Sequence, residues 1–216
     1  NKFGNNQNAV WQFSMDKIFN QKLRLSTNIL IDELTLDEEE LDLGESHLLA
    51  FSAHLNYLIR KINNYFLFLN FSTVQIGSHT YRHQYGLNNF VNRGIPIGSD
   101  LGSDAVKFSF SSKLFNFEND NYLIISYNFI QNGAKNLLFS PYKANENIFS
   151  LPFPSGEVTK NESFNIKFEK WINKSFSITT SFKSEKIDDY YNNSMKIQLL
   201  YFNNLSPNLL GWLFKP

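Results

Sequence analysis

Hydrophobic and polar residues alternate along most of the chain. Trp11, Phe13 and Met15 are separated by Gln12 and Ser14, while Leu23, Leu25, Thr27, Ile29 and Ile31 alternate with Arg24, Ser26 and Asn28. Phe108 and Phe110 alternate with Lys107, Ser109 and Ser111, and Phe164, Ile166 and Phe168 with Asn165, Lys167 and Glu169. Phe176, Ile178, Thr180 and Phe182 alternate with Ser177, Thr179, Ser181 and Lys183, and Met195, Ile197, Leu199 and Tyr201 close the series. A period of two gives a strand one apolar and one polar face. It predicts about nine strands, over 9–19, 22–31, 47–59, 65–81, 104–115, 121–132, 161–172, 175–186 and 193–203. Alternation is blurred in 48–59, 65–76 and 121–131, which are more continuously apolar. Glu45–Arg60 also fits a helix with His47, Leu48, Phe51, His54, Leu55 and Leu58 on one face, although Leu49, Phe51, Ala53, Leu55 and Tyr57 fit a strand equally well.

The predicted strands run to about ten residues, the length of a tilted membrane-crossing strand, where a strand of a globular domain has about five or six. Their connections alternate in length. Short turns are expected at Asn20-Gln21, Arg60–Asn64, Asn116–Asp120 and Asn173-Lys174, and Asn suits them because it tolerates positive φ. Long connections are expected at Asp32–Ser46, Arg82–Ser103 and Asn132–Lys160, with an intermediate link at Ile187–Asn192. In an antiparallel sheet successive connections fall on opposite rims, so the short turns share one rim and the long loops the other. Outer-membrane barrels have this asymmetry, with short periplasmic turns and long external loops. The expected fold is therefore an all-β, antiparallel transmembrane β-barrel of the outer-membrane type. An odd strand count starting at the external rim predicts that residues 1–216 form a single barrel region, the C-terminal part of a larger barrel, with 204–216 as a tail.

Composition narrows the function classes. The 20 Lys+Arg balance 20 Asp+Glu, which argues against a nucleic-acid partner, whose phosphates call for a basic face. Cys is absent, so disulfides, zinc thiolates and a Cys nucleophile are excluded. With 42% hydrophobic and 19% charged residues, the chain is too apolar for a disordered segment. The 22 Phe, 10 Tyr and 29 Asn suit broad aromatic surfaces joined by turns. No apolar run approaches the roughly 20 residues of a helical span. The opening Asn1-Lys2-Phe3-Gly4 does not have the pattern of a signal peptide.

The densest stretch of candidate chemistry is Ser78–Asp104, which holds four of the ten Gly together with His79, Tyr81, Arg82, His83, Tyr85, Asn89, Arg93 and Asp100. Neither G-x-x-x-x-G-K-[ST] nor G-x-G-x-x-G occurs in it, so it is not a phosphate loop. Gly94, Gly98 and Gly102 are expected to allow turns and close backbone approach. Two readings of Tyr81, Arg82 and Arg93 stand side by side: they brace an ordered loop, or they contact a ligand.

The run Thr80-Tyr81-Arg82-His83, then Asn89-Phe90-Val91-Asn92-Arg93-Gly94-Ile95-Pro96-Ile97-Gly98, then Leu101-Gly102-Ser103-Asp104 resembles a signature of the Wzi-type capsule assembly family. Leu23–Ile31 followed by Asp32-Glu33-Leu34 and an acidic loop resembles the same family, so the likeness covers roughly residues 10–115. It implies an outer-membrane β-barrel lectin that binds capsular or extracellular polysaccharide at the cell surface, in contact with outer-membrane lipid and lipopolysaccharide. On this implication Tyr81, Arg82, Tyr85, Asn89, Arg93 and Asp100 are the carbohydrate-binding candidates. Two departures stand out: the chain is shorter than such a barrel, and it ends Leu213-Phe214-Lys215-Pro216 rather than on an aromatic residue.

Other constellations carry little. Eight carboxylates between Asp32 and Glu45 read as a solvated external loop, and they lack the D-x-[DN]-x-[DN]-G pattern of a calcium loop. His79 and His83 would stand about 13 Å apart on one strand, too far to share a metal. No G-x-S-x-G elbow occurs, and the neighbours Asp188 and Asp189 would point to opposite faces of a strand, so they read as a turn. No enzyme, cofactor or metal is expected. Trp11, Tyr57, Tyr65, Tyr81, Tyr122, Tyr127, Trp171, Tyr190, Tyr191 and Tyr201 are expected as interfacial aromatics. A transport porin and a soluble β-sandwich carbohydrate-binding module are the alternatives.

Overall fold

The structure is a computed structural model that describes residues 10–33, 48–62, 64–78, 80–81, 91–92, 95–96, 99–116, 118, 120–134, 153–173 and 175–201. It is all-β. Nine long strands form one sheet: β1 (Trp11–Phe19), β2 (Leu23–Glu33), β3 (Leu48–Ile62), β4 (Tyr65–Ile76), β7 (Ala105–Asn116), β8 (Asn121–Asn132), β9 (Thr159–Asn173), β10 (Phe176–Ile187) and β11 (Tyr190–Tyr201). Two short strands, β5 (Val91–Asn92) and β6 (Ile95–Pro96), pair with each other within the loop between β4 and β7. Every pairing is antiparallel, and each long strand lies beside its predecessor, so the sheet is an unbroken meander from β1 to β11. Among the described residues, β1 and β11 pair on one side only.

The nine predicted strands all occur, and the helical alternative for Glu45–Arg60 gives way to β3. Three boundaries differ by three residues or more. The strand expected over 65–81 stops at Ile76, because Gly77 and the positive φ of Tyr81 (67°) turn the chain back. β3 runs on to Ile62, so the expected Arg60–Asn64 turn shortens to residues 63–64. The last strand begins at Tyr190 rather than 193. The link expected to be intermediate is thus a two-residue turn, with Asp188 at φ 50°. The short turns at 20–22, 63–64, 117–120 and 174–175 share one rim. The other rim carries 34–47, 77–104 and 133–158, together with this one tight turn. Positive φ at Asn20 and Gln21 (49° and 56°) and an Asx turn, in which Glu118 N–H donates to Asn116 Oδ1 at 3.0 Å, close two of the short turns.

The register sorts the side chains onto two faces. One is apolar on all nine strands, as in Phe13, Ile29, Phe51, Phe71, Phe110, Ile125, Phe168, Phe182 and Ile197. The other is polar along its middle. One continuous row there, each residue paired with the next, reads Asp16, Ser26, His54, Ser72, Ser109, Asn128, Ser163, Glu185 and Asn192. The row is hydrogen-bonded in part, with Ser26 Oγ donating to Asp16 Oδ1 at 3.1 Å and Asn128 Nδ2 to Ser163 Oγ at 3.2 Å. The apolar face is the more exposed: Phe110 is 47% accessible and Phe71 45%, whereas Ser163, Ser177 and Thr179 on the polar face are buried. Side chains crowd together in this way on the inner side of a curled sheet.

The apolar band also crosses the sheet obliquely. Its centre on β1, Phe13, lies in the register row of Gln75 on β4, while its centre on β11, Ile197, lies in the row of Leu67. The band therefore slides from position 75 to position 67, eight residues along β4, over the eight strand-to-strand steps of the sheet. One residue of about 3.4 Å per step of about 4.8 Å is an inclination of roughly 35°. Strands of closed barrels lean about 35–45° against the barrel axis.

Candidate functional site: a loop junction at the rim of a polar face

Two parts of the molecule concentrate polar chemistry, the loop bases on the long-loop rim and the middle of the polar face.

At the rim, Asp104 is fully buried. Its carboxylate accepts from Ser78 Oγ at 2.6 Å, Ser155 Oγ at 2.6 Å and the Ser155 N–H at 3.0 and 3.2 Å. Its own N–H donates to Gly77 O at 3.1 Å, and its carbonyl accepts from Gly133 N at 2.8 Å. The Ala134 N–H donates to Ser155 O at 2.8 Å. One residue, through its carboxylate and its backbone together, thus ties the exit of β4, the entry of β7, the exit of β8 and the segment leading to β9. Gly133 is required by space: a Cβ there would stand 1.9 Å from Asp104 Oδ2 and 2.8 Å from the Ser155 backbone nitrogen. A buried carboxylate is tolerated because its lone pairs are taken by charge-assisted hydrogen bonds.

Beside this junction the chain after β4 folds over the polar face. Tyr81 packs with Ile76 in a small apolar cluster that includes Leu30, Ala50, Val74 and Leu101. Its four strand members (Leu30, Ala50, Val74 and Ile76) all lie on the polar face near the rim. Thr80 Oγ1 donates to Leu49 O at 2.7 Å and fixes the turn to β3. Among the carbohydrate-binding candidates, Tyr81 is only 5% accessible and supports the loop base, while Asp100 is exposed. Arg82, Tyr85, Asn89 and Arg93 lie outside the described residues, as do most of the acidic run 32–45 and the end at Phe214.

On the polar face, Arg24 forms a bidentate pair with Asp16. Lys167 pairs with Glu169 at 3.4 Å and Lys183 with Glu185 at 2.8 Å. Glu169 also accepts from Tyr122 OH, from Trp171 Nε1 at 3.2 Å and from Thr179 Oγ1 at 3.1 Å. Tyr122 and Trp171 therefore line the polar face, where they end an aromatic patch of Phe68, Phe115 and Tyr122. Tyr57, Tyr65 and Tyr201 instead cap the apolar band at the short-turn rim. A recess of about 240 Å³ opens between β3, β4 and β7 among His54, Asn56, Asn70, Ser72, Ser109, Ser111 and Lys113. No group of three or more His, Asp or Glu among the described residues is placed to hold a metal ion.

Sequence reasoning missed the Asp104 junction and the recess. Asp104 closes the quoted run Leu101–Asp104, and Pro154-Ser155-Gly156 is a recognisable turn signal, but nothing in either stretch marks the other as its partner. No protein-family model matches the chain, and neither the curated proteins nor the solved structures give a match.

Proposed function

We propose that this chain is a membrane-embedded part of an outer-membrane β-barrel, with its apolar face against lipid and its polar face inward, and that it holds surface polysaccharide through its long loops. The oblique apolar band carries the membrane reading. A sheet packed against a second sheet buries its apolar face; here all nine strands carry exposed large apolar side chains on that face, and the band departs from the perpendicular to the strands by about the angle at which barrel strands tilt from the membrane normal. Tyr57, Tyr65 and Tyr201 at one border of the band match an interfacial girdle. The location of the long loops on one rim supports the outer membrane in particular.

The polysaccharide role rests on the likeness of residues 80–104 to capsule assembly proteins. It is supported by the built junction at Asp104, which gives two long loops a shared, buried anchor. Binding rather than catalysis is the role this arrangement serves. A transport channel is the second reading, favoured by the unbroken polar row across nine strands.

Three measurements separate these readings. Protein that requires detergent to stay monodisperse supports the barrel, and protein monodisperse in plain buffer overturns it. Discrete conductance steps in planar bilayers favour the channel. Arg93→Ala should reduce polysaccharide retained at the cell surface while leaving the folded barrel in place; unchanged retention removes the ligand role of this loop.

A further inference from the structure

Cations outnumber carboxylates among the polar-face strand residues whose side chains the structure describes. The carboxylates of that set are Asp16, Glu169 and Glu185, and each is engaged by a cation, respectively Arg24, Lys167 and Lys183. Lys107, Lys113 and Lys196 share the face and make no ion pair among the described residues. Of these, Lys113 lines a recess. The recess holds no carboxylate, and its polar neighbours are amides, hydroxyls and one imidazole: Asn56 pairs with Asn70 and Asn70 with Ser111 in one register row, and His54 with Ser72 and Ser72 with Ser109 in the next. Two polar atoms of this recess, Asn70 Nδ2 and Ser109 Oγ, are buried and have no hydrogen-bond partner. A buried donor without an acceptor costs about 1–3 kcal/mol; Thr73 Oγ1, Asn132 Oδ1 and Ser177 Oγ are in the same state elsewhere, but only here do two such groups lie in a recess with an ammonium that makes no ion pair among the described residues, a combination that suits a polar anion.

From these observations we infer that the recess around Lys113 binds an acidic sugar unit, its carboxylate on the Lys113 ammonium and its ring hydroxyls on Asn70, Ser109 and their neighbours. At about 240 Å³ the recess has room for a ring-sized ligand and is too small for a folded chain. An ammonium is a point charge without directional demands, so the charge selects the acid while the amide and hydroxyl ring selects the sugar. The inference rests on the polysaccharide reading above, which it narrows to glycans that carry carboxylates and extends from the loops to the barrel wall.

The test uses the full chain in dodecyl maltoside micelles, titrated calorimetrically with tetragalacturonate, maltotetraose and inorganic phosphate. Tetragalacturonate should bind at least about tenfold more tightly than maltotetraose, the worth of one charge-assisted contact. Phosphate in tenfold excess should fail to displace it. Lys113→Gln should remove that preference and Lys113→Arg should keep it. Ser109→Ala should weaken binding severalfold, and Lys196→Gln, an equal charge change elsewhere on the face, should leave it within about twofold. The inference is overturned if Lys113→Gln binds like the parent, if the neutral oligomer binds equally, if phosphate competes as well as the uronate, or if Lys196→Gln weakens binding as much as Lys113→Gln. Detergent-dependent protein that ignores tetragalacturonate sinks this inference alone, whereas protein monodisperse without detergent sinks the barrel reading beneath it.

Discussion

Ser155 Oγ donates to Asp104 Oδ2 at 2.6 Å across 51 residues of chain, and neither group is open to solvent. Ser78 takes the other carboxylate oxygen, also at 2.6 Å. Asp104→Ala would remove the carboxylate that accepts from two hydroxyls and the Ser155 N–H. We expect it to loosen the loop bases by about 2–4 kcal/mol while the sheet persists. Hydrogen exchange by mass spectrometry should show protection lost around 77–81 and 153–156 and kept in β8 and β10. Uniform loss over the sheet would show that the junction instead nucleates the whole fold.

Gly133 tests the same junction from the opposite side. Gly133→Ala places a methyl group 1.9 Å from the Asp104 carboxylate and 2.8 Å from backbone, a clash that only separation of the two loops can relieve. The single variant should reproduce the exchange pattern of Asp104→Ala. The double variant should cost little more than either alone, because coupled residues are not additive. Additive losses would mean that the two act through different contacts.

Ile125 and Ser126 are chain neighbours on opposite faces, Ile125 in the apolar band beside Ser112 and Ile166, and Ser126 between Ser111 and Asn165. In lipid vesicles, Ile125→Arg should destabilise the protein by about 2–4 kcal/mol, the cost of Arg near the bilayer midplane of a barrel. Ser126→Arg should cost less than half of that, because the proposed barrel turns this polar face away from lipid. Urea unfolding followed by Trp fluorescence reads both. Equal penalties would remove lipid from the apolar face.

Asp188 holds the tight turn between β10 and β11. Its N–H donates to Lys160 O, its Oδ1 accepts from Lys160 N, both at 2.8 Å, and its φ is 50°. Asp188→Asn keeps an acceptor and tolerates that φ, so it should be close to neutral. Asp188→Val loses the acceptor and is strained there, at a cost of about 1–3 kcal/mol. The fraying should appear as faster amide exchange in β11 with β4 and β7 unchanged.

Much of the fold could be read directly from the residues. Strand β10, expected over 175–186 from the alternation, spans Phe176–Ile187, and most of the nine strands follow from side chains that alternate between two unlike surroundings. Local chemistry also placed the Asn-rich turns, because positive φ is a property of single residues. The ends of β4 and β11 were less legible. Phe66–Val74 and Tyr190–Tyr191 are good strand formers, and what stops or starts pairing there is a neighbouring strand or a loop folding back.

The candidate site was legible only in part. The run Ser78–Asp104 stood out by its residue types, yet Tyr81 enters the core of the loop base and Asp104, from the end of the run, takes the centre.

Period-two chemistry by itself determined that this chain makes long antiparallel strands with one greasy and one polar side, since backbone pleating is local. The tertiary structure alone decided that the greasy sides join into one oblique band, that Asp104 meets Ser155, and that Lys113 shares a recess with Asn70 and Ser109. Register between strands and contacts between distant loops are cooperative properties of the whole sheet, so no single stretch of residues encodes them.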